Sequence, residues 1–270
     1  MLRYFAIFIA VAAWAEVSAY QTSIAKWRQE REAKLKADGG WLTVTGLFWL
    51  RDGPNRVGNA PGVFELNKGK TLFRADRGAV ITADGKPVST VEMNDPNISF
   101  DAGDLNFRVI ERSGRYGVRL KDKRSKLRTA FTGLRWFPAR ESYRVTAKFV
   151  PYPKPKGVPI LNIIGDHIEM PSPGYVVFKL NEQELRLDPV VDEGEDELMF
   201  IFRDKTAGKE TYPAGRYLYA TMPRDGKVEL DFNKAENPPC AFTPYATCPL
   251  PPKQNILAIR IEAGEQLTHK

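Results

Sequence analysis

The chain has 270 residues, enough to bury a substantial core in one large domain or two smaller ones. Hydrophobic residues make up 43% and charged residues 27%, a balance that excludes a disordered chain and a bundle of membrane spans. Lys and Arg number 40 against 33 Asp and Glu, for a formal charge of +7, and two Cys with two His, one of them the penultimate His269, exclude a structured zinc site built from Cys and His alone.

Arg3 precedes a mostly apolar run over residues 4–15, which ends in Glu16-Val17-Ser18-Ala19. A basic start, a short apolar stretch and small residues at the −3 and −1 places read as a secretory signal peptide, residues 1–19, cut after Ala19. The run is shorter than the roughly 20 residues a spanning helix needs, so no transmembrane segment is expected after cleavage and the mature chain is expected to be periplasmic or secreted. The rival reading is an uncleaved N-terminal anchor. Cleavage removes one base and one acid, Arg3 and Glu16, and leaves the balance at +7.

Residues 20–40 are expected to form an N-terminal helical segment, with the helix itself over 23–37. Ser23 can cap it, Ile24, Trp27 and Leu35 give it a thin apolar stripe, and Gly39-Gly40 end it. From Trp41 the period changes to two. Strands are expected at 42–50, 62–67, 71–74, 79–83, 107–111, 116–121, 143–150, 160–164, 175–180, 184–188, 198–203, 216–221, 227–232 and 256–262. Turn signals separate them: Asp52-Gly53, Asn67-Lys68-Gly69, Asp84-Gly85, Ser113-Gly114, Asn181-Glu182 and Asp225-Gly226. Many short strands without βαβ alternation predict an all-β fold, mainly an antiparallel sandwich or a partly open barrel, with one N-terminal α-helix and a single β domain over 41–270. The Pro-rich stretch 151–157 reads as a long loop inside that domain.

Charge is unevenly placed. Residues 112–156 carry fourteen Lys and Arg against Asp122 and Glu141, and residues 182–197 carry eight acids against Arg186. The basic stretch reads either as a surface for a polyanion or as outward strand positions facing the acidic stretch. Its densest part, 121–126, has no aromatic residue interleaved, so a nucleic-acid partner is not expected. The acidic run 192–197 lacks the residue order of an EF-hand loop and reads as a solvated hairpin turn, with no metal.

No Gly-x-Ser-x-Gly elbow, His-Glu-x-x-His pair or phosphate-binding loop is present. His167 lies beside Asp166 and Glu169, which would orient its ring for acid–base work; the plainer reading is a surface His in a turn. In an exported chain Cys240 and Cys248 most simply form a disulfide whose nine-residue loop contributes about 2.5 kcal/mol. The rival two-thiolate metal site has no His partner nearby. The segments 203–218 and 231–255 set short polar side chains among Gly and Pro. These side chains either lock irregular loops by bonding their amides or present a rigid polar surface to a ligand. In the second case Tyr212, Arg216, Asp231, Asn233 and Asn237 would be the ligand-binding residues, with Trp136 or Tyr212 as an apolar platform.

Several blocks resemble the bacterial family called domain of unknown function 1684. They are Trp27-Arg28, Gly40-Trp41-Leu42 through Gly58, Asp204-Lys205-Thr206 through Leu218, and Asp231-Phe232-Asn233 through Pro252. The resemblance spans roughly residues 20–265 and marks the last two blocks as family hallmarks, but it implies no activity and no catalytic residues. The leading expectation is an exported cell-envelope β domain that binds a small polar or anionic ligand, such as a glycan fragment, without a cofactor. A second is an envelope hydrolase with Asp204 and Asp231, or Glu169 and His167, as its acid–base pair. A third is a structural or interaction domain with a basic surface. The sequence carries no signal of oligomeric state.

Overall fold

The computed structural model describes residues 2–93, 98–192 and 194–267, with side chains described from Ala19 onward. The expected leader, His269 and Glu193 of the acidic run therefore lie outside the described side chains. Helix α1 spans Leu2–Lys36; it contains most of the predicted helix and runs back past the expected cut. Among the described residues no helix is long and apolar enough to cross a membrane. Gly40 ends the helical segment by close approach, since a Cβ there would lie 2.2 Å from the Leu35 carbonyl oxygen.

The fold is mainly antiparallel β-sheet with this one N-terminal helix, and its sheets do not close into a barrel. The chain groups into two compact units. Unit 1 comprises Met1–Glu32, Gly133–Pro238 and Cys248–Lys270, and unit 2 comprises Ala33–Thr132 and Pro239–Thr247. Strands separated by similar tight turns look alike in sequence, and nothing in a period of two says which apolar faces share a core.

Unit 2 holds β1 (Val44–Trp49), β2 (Gly53–Asn55), β3 (Gly62–Asn67), β4 (Lys70–Ala75), β5 (Thr82–Ala83), β6 (Lys86–Pro87), β7 (Thr90–Glu92), β8 (Phe100–Ala102), β9 (Leu105–Arg112) and β10 (Arg115–Asp122). They form a six-stranded sheet in the order β1-β10-β9-β8-β5-β6 and a four-stranded sheet in the order β2-β3-β4-β7. The tight hairpins are built as the dipeptides predict: Lys68-Gly69, Asp84-Gly85 and Ser113-Gly114 all have positive φ, the backbone that matches the twist of paired strands. Phe64 and Phe73 are register partners in one sheet, and Phe100 and Phe107 in the other. Their four buried rings meet with centroids 5.0–6.0 Å apart, so the two sheets of this unit share one aromatic core.

Unit 1 holds β11 (Arg144–Leu161), β12 (His167–Leu180), β13 (Gln183–Leu187), β14 (Glu197–Phe202), β15 (Arg216–Thr221) and β16 (Lys227–Asp231). A four-stranded sheet runs β13-β12-β11-β16, and β14 and β15 form a ribbon. Phe178, Phe200, Phe202, Leu218, Leu230 and Phe232 fill its core.

Two segments of unit 1 differ from expectation. The Pro-rich stretch 151–157 is not a loop but lies within β11, with a shift of register between Pro151 and Lys156. β16 pairs only with Arg144–Lys148, so the prolines lie on a stretch whose pairing partner is β12 alone. A proline has no N–H to give a ladder and fits in a strand at such an edge or at a bulge. Conversely, residues 256–262 form no strand beyond a single parallel bridge between Arg203 and Ile256. The Leu257 amide and the Ile259 carbonyl bond the backbone of Arg203 and Lys205, and the stretch beyond them is held by side chains, as described below.

The alternation of proline and lysine along this edge blunts it against pairing with a second chain. Replacing both Pro153 and Pro155 by Val is therefore expected to raise light scattering during refolding from urea while leaving the native circular dichroism spectrum unchanged.

Candidate functional site

The residues singled out in the C-terminal third converge in unit 1, and there they face inward. Asp204 follows β14 and is nearly fully buried. Its carboxylate accepts from the Thr206 hydroxyl at 2.8 Å, from the Ile261 amide at 2.7 Å and from Arg216 Nη2 at 3.3 Å. The Thr206 hydroxyl lies 2.8 Å from that of Thr211, closing the turn that carries Tyr212. Gly215, at φ +103°, brings the chain back into β15, where a Cβ would lie 2.6 Å from the Phe202 carbonyl oxygen.

Arg216 opens β15 with 1% of its surface exposed. Its guanidinium lies over the Phe202 ring and donates to three carbonyls of one segment: Ile261 at 3.0 Å, Ala263, and Glu265 at 3.5 Å. Burial pulls its pKa below the usual guanidinium value and Asp204 opposes the shift. Asp204 and Arg216 together thus take the backbone groups of Ile261 and the Ala263 carbonyl, while Leu257 and Ile259 bond the backbone of Arg203 and Lys205, so the predicted strand at 256–262 survives only as short pairing at its start.

Asp231 and Asn233 do a comparable task at the end of β16. The Asp231 carboxylate caps the short helical turn Phe232–Lys234 by accepting from the Asn233 amide at 3.1 Å, and it also accepts from the Asn233 side-chain amide and the Tyr20 hydroxyl, each at 3.0 Å. Asn233 accepts from the Arg140 amide at 2.9 Å and donates to the Arg140 carbonyl at 2.8 Å. Burial, then the Asp231 charge, pushes the Tyr20 phenol well above its ordinary value. Asn237 bonds at both ends: its amide gives to Glu265 at 2.7 Å and its side chain to the Gln266 carbonyl at 2.9 Å. Glu265, fully buried, is paired with Arg31 of α1 at 2.8 Å. Burial pushes the Glu265 carboxyl up, against the pull of Arg31.

The remaining sites lie elsewhere. Trp136 meets Trp27 edge-on at 5.7 Å and carries Arg28 over its ring at 4.8 Å, so it docks α1 within unit 1. Tyr212 is half-buried in its turn. His167 and Glu169 are exposed on β12 beside the hairpin tip, where Asn162 takes the amides of Ile164 and Asp166 at 3.1 and 2.9 Å. The disulfide expected between Cys240 and Cys248 is not formed in the structure. Cys240 lies in a helical turn, Pro239–Ala241, and the Cys248 carbonyl accepts from the Ile163 amide. Among the described residues no three His, Cys, Asp or Glu side chains are grouped to hold a metal ion.

The sequence reading missed Tyr20, Arg31 and Glu265, which showed only as an aromatic, a helix charge and a C-terminal acid. It also missed a basic face in unit 2. Residues Arg108 and Arg112 of β9 alternate with core residues Phe107 and Val109, and pair in register with Arg119 and Arg115 of β10. Lys121 is in register with Asn106 and donates to the Gly39 carbonyl at 2.5 Å. Arg119 lies over Trp41 at 4.9 Å and Arg115 over Trp49 at 4.4 Å. Burial, then Arg108 and Arg119, pushes the Lys121 pKa down to about 8. Unit 2 also has an open groove of about 400 Å³ lined by Glu65, Lys68, Lys70, Arg74 and Glu92, with both charge signs present.

Residues 129–266 match the model of a family described as protein of unknown function (DUF1684). The blocks at 204–218 and 231–252 lie inside this match, and the opening blocks at 27–58 lie outside it. An uncharacterised protein of Haloarcula marismortui, solved by solution NMR, is similar at 33% identity over 53% of this chain and 81% of that one, with a TM-score of 0.44. No curated protein matches.

A buried ion pair is costly to halve and cheap to replace whole. Asp204→Ala, which leaves Arg216 buried without its carboxylate, is expected to lower stability by about 3–5 kcal/mol. The double change Asp204→Leu with Arg216→Met should cost much less than the sum of the single changes, as read by urea midpoints around a double-mutant cycle.

Proposed function

Because the chain belongs to the DUF1684 family, whose description brings no activity with it, we propose from its own geometry that it is an exported, non-catalytic β protein of the cell envelope that binds a small anionic ligand. One observation carries the non-catalytic part. The carboxylate of Asp204 is spent on four internal donor groups and that of Asp231 on three, and a group already satisfied by buried donors has no lone pair aimed at a substrate proton. The polar block that would have formed a cleft is instead the lock of a loop. His167 and Glu169 stand exposed on a hairpin, where water, not a closed site, surrounds any reacting group.

The anionic ligand follows from charge. The protein carries +7, and its basic residues are concentrated in 112–156. Such a surface raises the local concentration of anions and speeds their arrival. Export fits the position of Tyr20. A cut after Ala19 would leave Tyr20 as the first residue, still anchored by its hydroxyl to Asp231 and Asn233 at 3.0 and 2.8 Å.

Fractionation of cells expressing the full chain tests export: the mature protein should be found outside the cytoplasm with a mass that begins at Tyr20. Thiol titration of that same fraction reads whether the oxidising compartment has joined Cys240 to Cys248. In a thermal-shift panel, anions should raise the melting temperature and neutral sugars should not, and glycosidase and esterase assays should stay at background. Hydrolysis lost in Asp204→Asn or Asp231→Asn variants that still fold would overturn the reading.

A further inference from the structure

We propose that the groove on the outward face of the sheet β2-β3-β4-β7 binds a zwitterion of dipeptide size, whose ammonium is held by Glu92 and whose carboxylate is held by Lys70 and Lys68. The inference goes beyond the anionic-ligand reading and rests on a different observation, so either can fail without the other.

The groove has a volume of about 400 Å³, within the range of small-molecule sites. Its floor is Leu72 of β4, half-buried, while Thr71 and Phe73 on either side of it turn to the other face and are buried. Glu65 of β3 and Glu92 of β7 are the register partners of Leu72, one on each side. Lys70 and Arg74 lie two residues before and after it on the same strand, so they share its face. Leu72 thus sits at the centre of a cross, with a carboxylate at each end of one arm and a cation at each end of the other. Lys68, in the turn between β3 and β4 at φ +49°, adds a third cation next to Lys70.

A charge on an exposed sheet is stabilised by an opposite charge directly across from it. Here that pairing is missing. Leu72 stands across from both glutamates, and Asn67 stands across from Lys70. Arg74 and Glu65 form a loose, exposed ion pair at 3.7 Å. Glu92, Lys68 and Lys70 are exposed and have no partner among the described residues. The groove therefore offers an acceptor at one edge and donors at another, the complement of a molecule that carries an ammonium and a carboxylate. Glu92 and Lys70 are diagonal neighbours across the β4–β7 pair, a relation that spaces two residues about 7–8 Å apart. An extended dipeptide spans about 7 Å. Leu72 between them gives its side chains an apolar contact, and Asn67 lines the groove with an amide for its peptide group.

The strand that carries Glu92 is fixed in advance. Residues 90–92 pair with β4. Just beyond them the Met93 amide donates to the Thr71 carbonyl at 2.8 Å, and the Thr71 hydroxyl donates to the Met93 carbonyl at 2.9 Å. Both residues are buried. The floor rests on the aromatic core of unit 2, since Phe73 follows Leu72 and has Phe64 as its register partner. A site already in place loses little entropy when it binds.

Isothermal titration of the full chain at low ionic strength with alanyl-leucine, its N-acetyl form and its C-terminal amide tests the site. Wild type should bind the free dipeptide, and blocking either end should weaken binding about tenfold. Glu92→Gln should bind the free and N-acetyl forms equally. The double change Lys68→Gln with Lys70→Gln should bind the free and amidated forms equally. Each variant then loses its sensitivity to one end of the ligand only, a pattern that general damage to the fold does not produce. The altered side chains are exposed and unpaired, so the variants are expected to melt at the wild-type temperature. Lys227→Gln, an exposed residue of unit 1, should bind as wild type does. The site is overturned if wild type does not bind the dipeptide, if it binds the free and blocked forms alike, or if the variants keep wild-type selectivity. None of these results touches the anionic-ligand reading, which the anion panel tests by itself.

Discussion

The fully buried guanidinium of Arg216, paired with Asp204, is the constraint on which unit 1 depends. An irregular segment can be buried only if its backbone polar groups find partners. Residues 257–265 contain the buried Leu257, Ile259, Ile261 and Ala263, all part of the core, yet form no regular strand, although Leu257 and Ile259 bond the backbone of Arg203 and Lys205. Arg216 supplies donors to Ile261, Ala263 and Glu265, and Asp204 supplies an acceptor to Ile261. Arginine suits this task because it stays charged and offers several N–H groups in one plane. The pair is retained as a lock on geometry, since its charges by themselves add little to stability in a dry interior.

The same logic recurs along unit 1. Asn255 accepts from the Asp188 amide at 2.8 Å and donates to the carbonyls of Asp188 and Ile201, each at 2.9 Å. Asn233 ties the end of β16 to Arg140, and Asn237 with Glu265 ties the loop after it to Arg31. Each is a short polar side chain standing in for a missing strand neighbour. The blocks at 204–218 and 231–252 each contain such residues, Asp204 and Arg216 in the first and Asp231, Asn233 and Asn237 in the second.

The charges of the two units are arranged differently. In unit 1 the buried charges are paired: Arg216 with Asp204, and Arg31 with Glu265. On the β9–β10 face of unit 2, arginines adjoin arginines and a lysine whose proton is held less tightly than usual.

The sequence by itself determined the strand-rich, antiparallel class, the helix at the start and the tight hairpins at Lys68-Gly69, Asp84-Gly85 and Ser113-Gly114. These follow from local rules, a period of two and the demand for positive φ, that need no knowledge of distant contacts. It also marked Asp204, Arg216, Asp231, Asn233 and Asn237 as unusual, through their setting among Gly and Pro. Only the tertiary structure decided that these side chains point inward, because burial depends on what lies across the core and not on neighbours in the chain. It likewise decided that 151–157 is strand and 256–262 is not. One proline run found a sheet edge that asks for no N–H, and one apolar run found a buried Asp204–Arg216 pair where its ladder would have continued. The basic face was half legible: the run of lysines and arginines could be counted, but the pairing of Arg108 with Arg119 is a matter of register between two strands, which no composition records.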